Sequence, residues 1–305
     1  MKNFAAKTFL FPLSALTLLV GGTTPAHAWW PEGHSMIARS AVEILPVEMP
    51  KWFRSGKAQI AHCAQDPDVQ KSRDLPVMTE AEYPQHFIDI ELLAGNPLPK
   101  TRADFYKLCV TLKVEPSNVG ELPYAIAEWT QRLTMTFAEA RQFPKNKEIQ
   151  TKALVYAGIL SHYSGDATMP LHTTISHDGR ANPDGSSPKT GIHAKVDSLI
   201  EKVNPKQQMA SPVVPFDNMW AGIENELKTS QAQIDRTYAL EAQLPKESDV
   251  PPTWKASPDS KLLPPNEWRR ADVSRRNYFS QHGATRPKSS YQHGSSVNLS
   301  HVESS

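Results

Sequence analysis

The sequence has little cysteine and little net charge. It contains only two cysteines, Cys63 and Cys109, so the fold cannot depend on a disulfide framework, and whether these two pair is left open. The formal net charge is +1, which gives no indication of long-range electrostatic capture of duplex nucleic acid. The sequence also lacks a Gly-x-Ser-x-Gly motif and a glycine-rich phosphate loop, so nothing in it indicates a serine hydrolase of that kind or a P-loop enzyme.

Long apolar runs are absent except near the start of the chain. The segment Phe9–Val20 is mostly apolar but shorter than the roughly twenty residues of a membrane span. Lysines precede it and Ala26-His27-Ala28 follows it, which together have the form of a secretory signal peptide over residues 1–28. We therefore expect a secreted or periplasmic chain that begins at Trp29, has no transmembrane segment and is a monomer.

The remaining pattern predicts an all-α fold with long functional loops. Apolar residues recur at helical spacing in segments 37–45, 51–63, 121–142 and 216–244. We expect a single helical domain over residues 29–250 and a C-terminal extension over 251–305 that is disordered from about residue 282. Three segments are predicted as turns or loops: Ala64–Lys71, 92–118 and 176–190.

Two His-x-x-x-Asp pairs are the main chemical signal. His162 and Asp166 follow an apolar segment rich in helix formers, and His193 and Asp197 repeat the spacing on a second predicted helix. Residues four apart share one face of a helix, so each pair presents a nitrogen and a carboxylate to the same point. Pro170 is expected to end the first helix and to place His172 on the loop that follows.

A single pair of this kind is more often a solvated helix face or a hydrogen-bonded core histidine. Two pairs, with Pro170-Leu171-His172 between them, favour a metal site in a chain that has only eleven histidines. Mixed imidazole and carboxylate ligands suit zinc better than calcium or magnesium, which prefer oxygen ligands.

Taken in order, the motifs resemble a known family. These motifs are Trp29-x-x-x-x-His34, Asp66-Pro67-Asp68, His86-Phe87-Ile88-Asp89 and the two His-x-x-x-Asp pairs. They resemble the exported zinc nucleases of fungi and plants that prefer single strands, and their relatives, the bacterial zinc-dependent phospholipases C. The resemblance covers roughly residues 29–201 and implies an α-helical fold with three zinc ions in one cleft.

The resemblance also implies the ligands of each ion. Trp29 would bind one zinc through its free α-amino group and carbonyl oxygen, alongside His34, and Asp166 would bridge this ion to a second one. The other ligands of the second zinc would be His86, His162 and one aspartate of the Asp66-Pro67-Asp68 turn. The third zinc would be held by His172, His193 and Asp197.

Within the turn, Asp68 is favoured over Asp66, because the family's aspartate commonly follows a proline or alanine and precedes a basic residue by three positions. That basic residue is Lys71 here, where the family nucleases usually carry arginine, so a weaker phosphate contact is expected. Asp68, which would orient the attacking water, and Lys71 are thus the candidate catalytic residues.

The resemblance leaves the substrate open. In the nucleases the residues that match Phe87 and Asp89 contact a base, which favours a nuclease or nucleotidase acting on single-stranded nucleic acid. A buried aromatic residue beside a carboxylate that orients His86 is the other interpretation of this pair. The segment Gly191–Asp197 looks more like the phospholipases C, although those carry glutamate in place of Asp197, and a non-catalytic zinc-binding protein is the third hypothesis.

Overall fold

The structure is a computed structural model that describes residues 31–71, 75–199 and 216–243. The predicted signal peptide, Trp29 and the predicted extension over residues 251–305 lie outside the described residues. Within these ranges every regular element is a helix and no strand occurs, which confirms the predicted all-α fold.

Twelve α-helices and three short 3₁₀ turns make up the described part of the chain. The α-helices are α1 Pro31–Glu43, α2 Lys51–Ser55, α3 Lys57–Cys63, α4 Asp66–Gln70, α5 Pro76–Glu82, α6 Arg102–Leu112, α7 Pro116–Val119, α8 Leu122–Gln142, α9 Lys147–Ala167, α10 Ile192–Asp197, α11 Met219–Gln231 and α12 Ile234–Glu241. The 3₁₀ turns are Tyr83–His86, Ile90–Leu93 and Pro170–His172.

Helix α9 lies at the centre of the packing. It begins where the side chain of Asn146 accepts a hydrogen bond from the backbone N–H of Ile149, at 2.9 Å. It ends at Ala167, three residues before Pro170, where the sequence predicts a break. Helices α1, α3 and α8 pack against it, so its C-terminal half is buried between other elements.

Small residues allow α9 and α3 to approach each other closely. A Cβ atom at Gly158 would lie 2.6 Å from the carbonyl oxygen of Ile60 and 2.6 Å from Cβ of Cys63. Glycine at this position therefore sets the distance between the two helices. The close approach also brings the carbonyl of Ala64, just past the end of α3, to within 2.7 Å of the His162 ring.

Two predicted loops are helical in the structure. Residues 66–70 form α4, because Pro67 lies in the first turn, where a missing N–H costs nothing. Residues 102–112 form α6, which is capped by Thr101, whose side chain accepts the N–H of Asp104, and residues 116–119 form α7. Both predictions of irregular structure are wrong for these residues, whereas residues 176–190 contain no helix, as predicted.

Two predicted helices are interrupted. The segment Lys51–Cys63 is divided at Gly56 into α2 and α3, and segment 216–244 contains two helices, α11 and α12. Cys63 and Cys109 are both buried free thiols. Among the residues that the structure describes, no helix has the length and apolar character that a membrane span requires.

Candidate metal centre

The structure brings eight of the nine predicted ligand residues together and buries all eight. The ninth, Trp29, lies outside the described residues. Within the described part of the chain, these residues form three groups. In each group, one ligand atom from every residue lies within 4.8 Å of the ligand atoms of the others. The groups are His34, His162 and Asp166; Asp68, His86 and His162; and His172, His193 and Asp197.

Helix α9 supplies the first pair, His162 and Asp166, at the spacing that places both on one face. The Nε2 atom of His162 lies 3.4 Å from Oδ2 of Asp166. The Nδ1 atom of His162 lies 2.7 Å from the carbonyl oxygen of Ala64. A carbonyl can only accept, so Nδ1 carries the proton and donates it, which leaves a lone pair on Nε2 directed into the group.

Asp166 lies between two sets of histidines. Its Oδ1 atom is 3.5 Å from Nε2 of His34, and its Oδ2 atom is 3.1 Å from Nδ1 of His86. His162 lies on the Oδ2 side as well. The two oxygens of one fully buried carboxylate thus face different nitrogen donors, which is the arrangement that a ligand shared by two cations needs.

Of the two aspartates in α4, Asp68 belongs to a group and Asp66 does not. The Oδ1 atom of Asp68 lies 3.8 Å from Nδ1 of His86 and 3.9 Å from Nε2 of His162. Its Oδ2 atom lies 4.0 Å from Nε2 of His34. Of the two alternatives that the sequence left open, Asp68 is thus the one that lies among the candidate ligands.

Lys71 lies beside Asp68, with Nζ 2.7 Å from Oδ1 and only 7% of its side chain exposed. Burial disfavours the ammonium, but the carboxylates of Asp68 and Asp166 outweigh it and raise the pKa of Lys71 above its ordinary value. The lysine is therefore a fixed positive charge at the edge of the carboxylate cluster.

The third group is built from the turn at His172 and from helix α10. The Nε2 atom of His193 lies 2.9 Å from Nε2 of His172 and 3.2 Å from Oδ2 of Asp197. Nδ1 of His172 lies 2.6 Å from the carbonyl oxygen of His86 and must donate to it, so the lone pair of His172 is on Nε2. This bond also links the third group to the segment that carries His86.

The protonation states favour cation binding. Burial lowers the pKa of His34 to about 3 and that of His172 to about 4, and it lowers the pKa of His193 as well. Burial alone would raise the pKa of Asp166, but the neighbouring His162 and His172 hold it well below the ordinary value. His162 is the exception, because the carboxylates of Asp166 and Asp68 outweigh burial and raise its pKa above the ordinary value. Imidazole nitrogens beside ionised carboxylates form a donor set of the kind that zinc prefers.

The predicted base-contacting residues, Phe87 and Asp89, follow His86 but belong to none of the three groups. The half-buried Phe87 ring lies 5.5 Å from the ring of Tyr83, centroid to centroid, and Tyr83 is 53% exposed. The N–H of Asp89 donates to the carbonyl of Val119 at 2.7 Å. Burial, followed by the charge of Glu91, raises the pKa of Asp89 to about 7.

Sequence reasoning missed two acidic residues that lie close to the candidate ligands. Glu82 is buried beside His86, and its Oε1 atom lies 3.5 Å from Nε2 of that histidine. Asp178, in the predicted loop, accepts the N–H groups of Gly191 and His193 at the start of α10. Glu82 could have been found from its spacing, four residues before His86, whereas Asp178 is separated from α10 by an irregular loop of no fixed geometry.

Comparison of the sequence with models of known protein families and with curated proteins finds no match. The interpretation of the three groups therefore rests on their geometry and on the motifs in the sequence.

Proposed function

We propose that this chain is a zinc-dependent hydrolase of phosphoric esters that acts on single-stranded nucleic acid or nucleotides. The observation that carries the proposal is the position of Asp166. Its two oxygens face His34 on one side and His86 and His162 on the other, so that one carboxylate can serve two cations. Neighbouring divalent cations are a common device for cleaving phosphate esters.

The residues present fit zinc. The Oδ1 atom of Asp166 is buried and has no hydrogen-bond partner among the described residues. Coordination to a cation would compensate this oxygen. The proposed ligands of the first ion are Trp29, His34 and Asp166, and those of the second are Asp68, His86, His162 and Asp166. The proposed ligands of the third are His172, His193 and Asp197.

Bound zinc supplies Lewis-acid stabilisation of charge on the phosphate and lowers the pKa of a coordinated water. The chain's own residues orient the reactants. The ammonium of Lys71 is held by Asp68 at 2.7 Å and can bind a phosphate oxygen as a point charge, without the paired contacts of an arginine. Asp68 would orient the attacking water by accepting a hydrogen bond from it.

The pair of Tyr83 and Phe87 favours nucleic acid as the substrate. The two aromatic rings are adjacent, Tyr83 is largely exposed, and Phe87 directly follows the ligand His86. Aromatic side chains hold unpaired bases by stacking, with little dependence on sequence. The low net charge of the chain agrees with recognition by stacking rather than by long-range attraction.

A second observation favours phospholipid, as for a phospholipase C. Four apolar side chains are exposed in α4 and around the start of α5: Val69, Leu75, Val77 and Met78. Exposed apolar residues near a cleft can contact a lipid surface.

The test is to assay the purified mature chain, loaded with zinc, against single-stranded DNA, RNA and phosphatidylcholine vesicles in parallel. A chelated sample and the same sample resupplied with zinc serve as controls. We expect the fastest hydrolysis on single-stranded nucleic acid. Faster release of the phospholipid head group would establish the phospholipase alternative, and no zinc-dependent hydrolysis of any phosphoric ester would refute the proposal.

A further inference from the structure

His86 presents its two ring nitrogens to two different environments. Nδ1 faces the metal group, 3.1 Å from Oδ2 of Asp166 and 3.0 Å from Nε2 of His162. Nε2 faces away from it, and Oε1 of Glu82 lies 3.5 Å from this atom. Glu82 is only 8% exposed and His86 only 3%, so the pair is buried beneath the protein surface.

The chemistry of imidazole makes this second contact important. If Nδ1 gives its lone pair to a cation, the proton of the neutral ring must be on Nε2. A buried N–H needs an acceptor, and Nε2 of His86 has no hydrogen-bond partner within 3.5 Å at acceptable geometry in the described part of the chain. The carboxylate of Glu82 is in place to be that acceptor after a movement of a few tenths of an ångström.

Two of the other candidate ligand histidines have a backbone acceptor for the ring proton. His162 and His172 each donate from Nδ1 to a backbone carbonyl, that of Ala64 and that of His86. A carboxylate is a stronger acceptor than a carbonyl and makes the ring a more basic ligand. His86 therefore differs from these two histidines in that a side chain, rather than the backbone, can determine its orientation and basicity.

Glu82 is itself held in position from the opposite side. The hydroxyl of Tyr163 donates to Oε1 of Glu82, and Tyr163 is a buried residue of α9, next to His162. Glu82 ends α5, and the 3₁₀ turn that follows, with Pro84 in its first turn, carries His86 at the fourth position. The chain Tyr163, Glu82, His86 thus connects two elements that meet at the metal group.

We propose that Glu82 is a positioning residue for the metal centre: it accepts the Nε2 proton of His86, fixes the ring with Nδ1 towards the cation, and is held for this task by Tyr163. This inference rests on the proposed zinc centre and adds a residue that none of the predicted motifs contains. Partners of this kind change metal affinity by about 10- to 100-fold when they are removed.

Zinc affinity, measured by competition with a chromophoric chelator, tests the role of Glu82 without an activity assay. Glu82→Leu removes the acceptor, and we expect zinc at the His86 group to bind about 10- to 100-fold more weakly. Glu82→Gln keeps an acceptor oxygen of the same shape without the charge, so its affinity should lie between those of Glu82→Leu and the wild type. Tyr163→Phe, which keeps the packing of the ring, should cause a smaller loss.

The matched control is Glu80, an exposed residue of the same helix that lines the same open cleft of about 610 Å³ as Glu82. Glu80→Leu and Glu80→Gln should bind zinc like the wild type. Cobalt-substituted protein gives a second measurement, because the visible spectrum reports the ligand field at the His86 group. The spectrum should change in Glu82→Leu but not in the Glu80 variants.

A purely structural role for Glu82 gives a different result. In that case the metal-free Glu82→Leu protein would melt at a lower temperature, while the affinities of Glu82→Gln and Tyr163→Phe for zinc would equal that of the wild type. That result would overturn the inference. If the wild type binds zinc but cleaves no phosphoric ester, the proposed function fails and the order of affinities still decides the role of Glu82.

Discussion

Asp166 and Asp197 form a matched pair at the scale of single residues. Each is a fully buried aspartate four residues after a histidine on a helix. Oδ1 of Asp166 faces His34 and His172 and its Oδ2 faces His86 and His162, whereas Asp197 lies 3.2 Å from Nε2 of His193 in the third group. We expect Asp166→Asn to lose two zinc ions per chain and nearly all activity, and Asp197→Asn to lose one ion. Elemental analysis measures both, and equal losses would contradict a bridging role for Asp166.

Asp89 gives a prediction about pH. Its pKa is raised to about 7 in the folded protein, above the value of about 4 that it has when unfolded. Between pH 4 and pH 7 the carboxyl group of Asp89 is therefore protonated more in the folded state than in the unfolded state. The folded protein should therefore lose stability as the pH rises from 4 to 7, and Asp89→Asn should lose less. Urea unfolding of the metal-free forms at pH 5 and pH 8 measures this. A parallel change in both proteins would show that Asp89 does not contribute.

Single residues also show what the sequence could predict of the site. The spacing of His162 and Asp166 is local to one helix and was correctly interpreted as a shared face. His34, Asp68 and His86 come from other parts of the chain, and no spacing rule brings them to α9; they were assigned through the resemblance. Glu82 was missed because a glutamate near the end of a helix is usually a solvated residue.

At the scale of elements, the close contact of α3 with α9 determines the position of His162 in the candidate metal centre. Gly158→Ala would place a Cβ atom 2.6 Å from the carbonyl oxygen of Ile60, so the two helices must move apart. We expect a loss of about 1–3 kcal/mol in the free energy of unfolding, as for other overpacked cores. Denaturant unfolding of the metal-free protein measures it.

The same separation of the helices should lengthen the bond from His162 to Ala64 and weaken zinc binding. Gly165→Ala is a useful comparison, because its Cβ atom would lie 3.4 Å from Nδ1 of His34, a tight contact with a side chain rather than with a backbone. It should destabilise the protein less than Gly158→Ala. A Gly158→Ala protein with the stability and zinc affinity of the wild type would show that the helices can adjust.

Two helices, α4 and α6, were predicted as irregular segments for reasons that the sequence shows. In α4 the Asp66-Pro67 pair indicates a turn, but proline is also favourable in the first turn of a helix. In α6 the scattered proline and glycine before Thr101 obscured a helix of eleven residues. Its start was nevertheless marked by Thr101 and Asp104, which bond to each other across the first turn.

At the scale of the whole molecule, the proposed role of Trp29 as a ligand predicts that activity depends on export. Its α-amino group exists only after cleavage behind Ala28, because an amide nitrogen in the precursor has no available lone pair. The uncleaved chain should therefore lack the zinc shared by Trp29 and His34 and should be close to inactive. A chain with one extra residue before Trp29 should show the same defect, whereas full zinc content in that chain would contradict the role of Trp29.

The zinc content of the purified mature chain tests the account most directly. The protein is stripped with a chelator, resupplied with zinc, freed of excess metal and measured by elemental analysis against its concentration. The three groups of buried ligands predict about three zinc ions per chain, together with a rise in the melting temperature on zinc addition, because the ions bind the folded state. One ion or fewer per chain, without any change in melting temperature, would contradict the account.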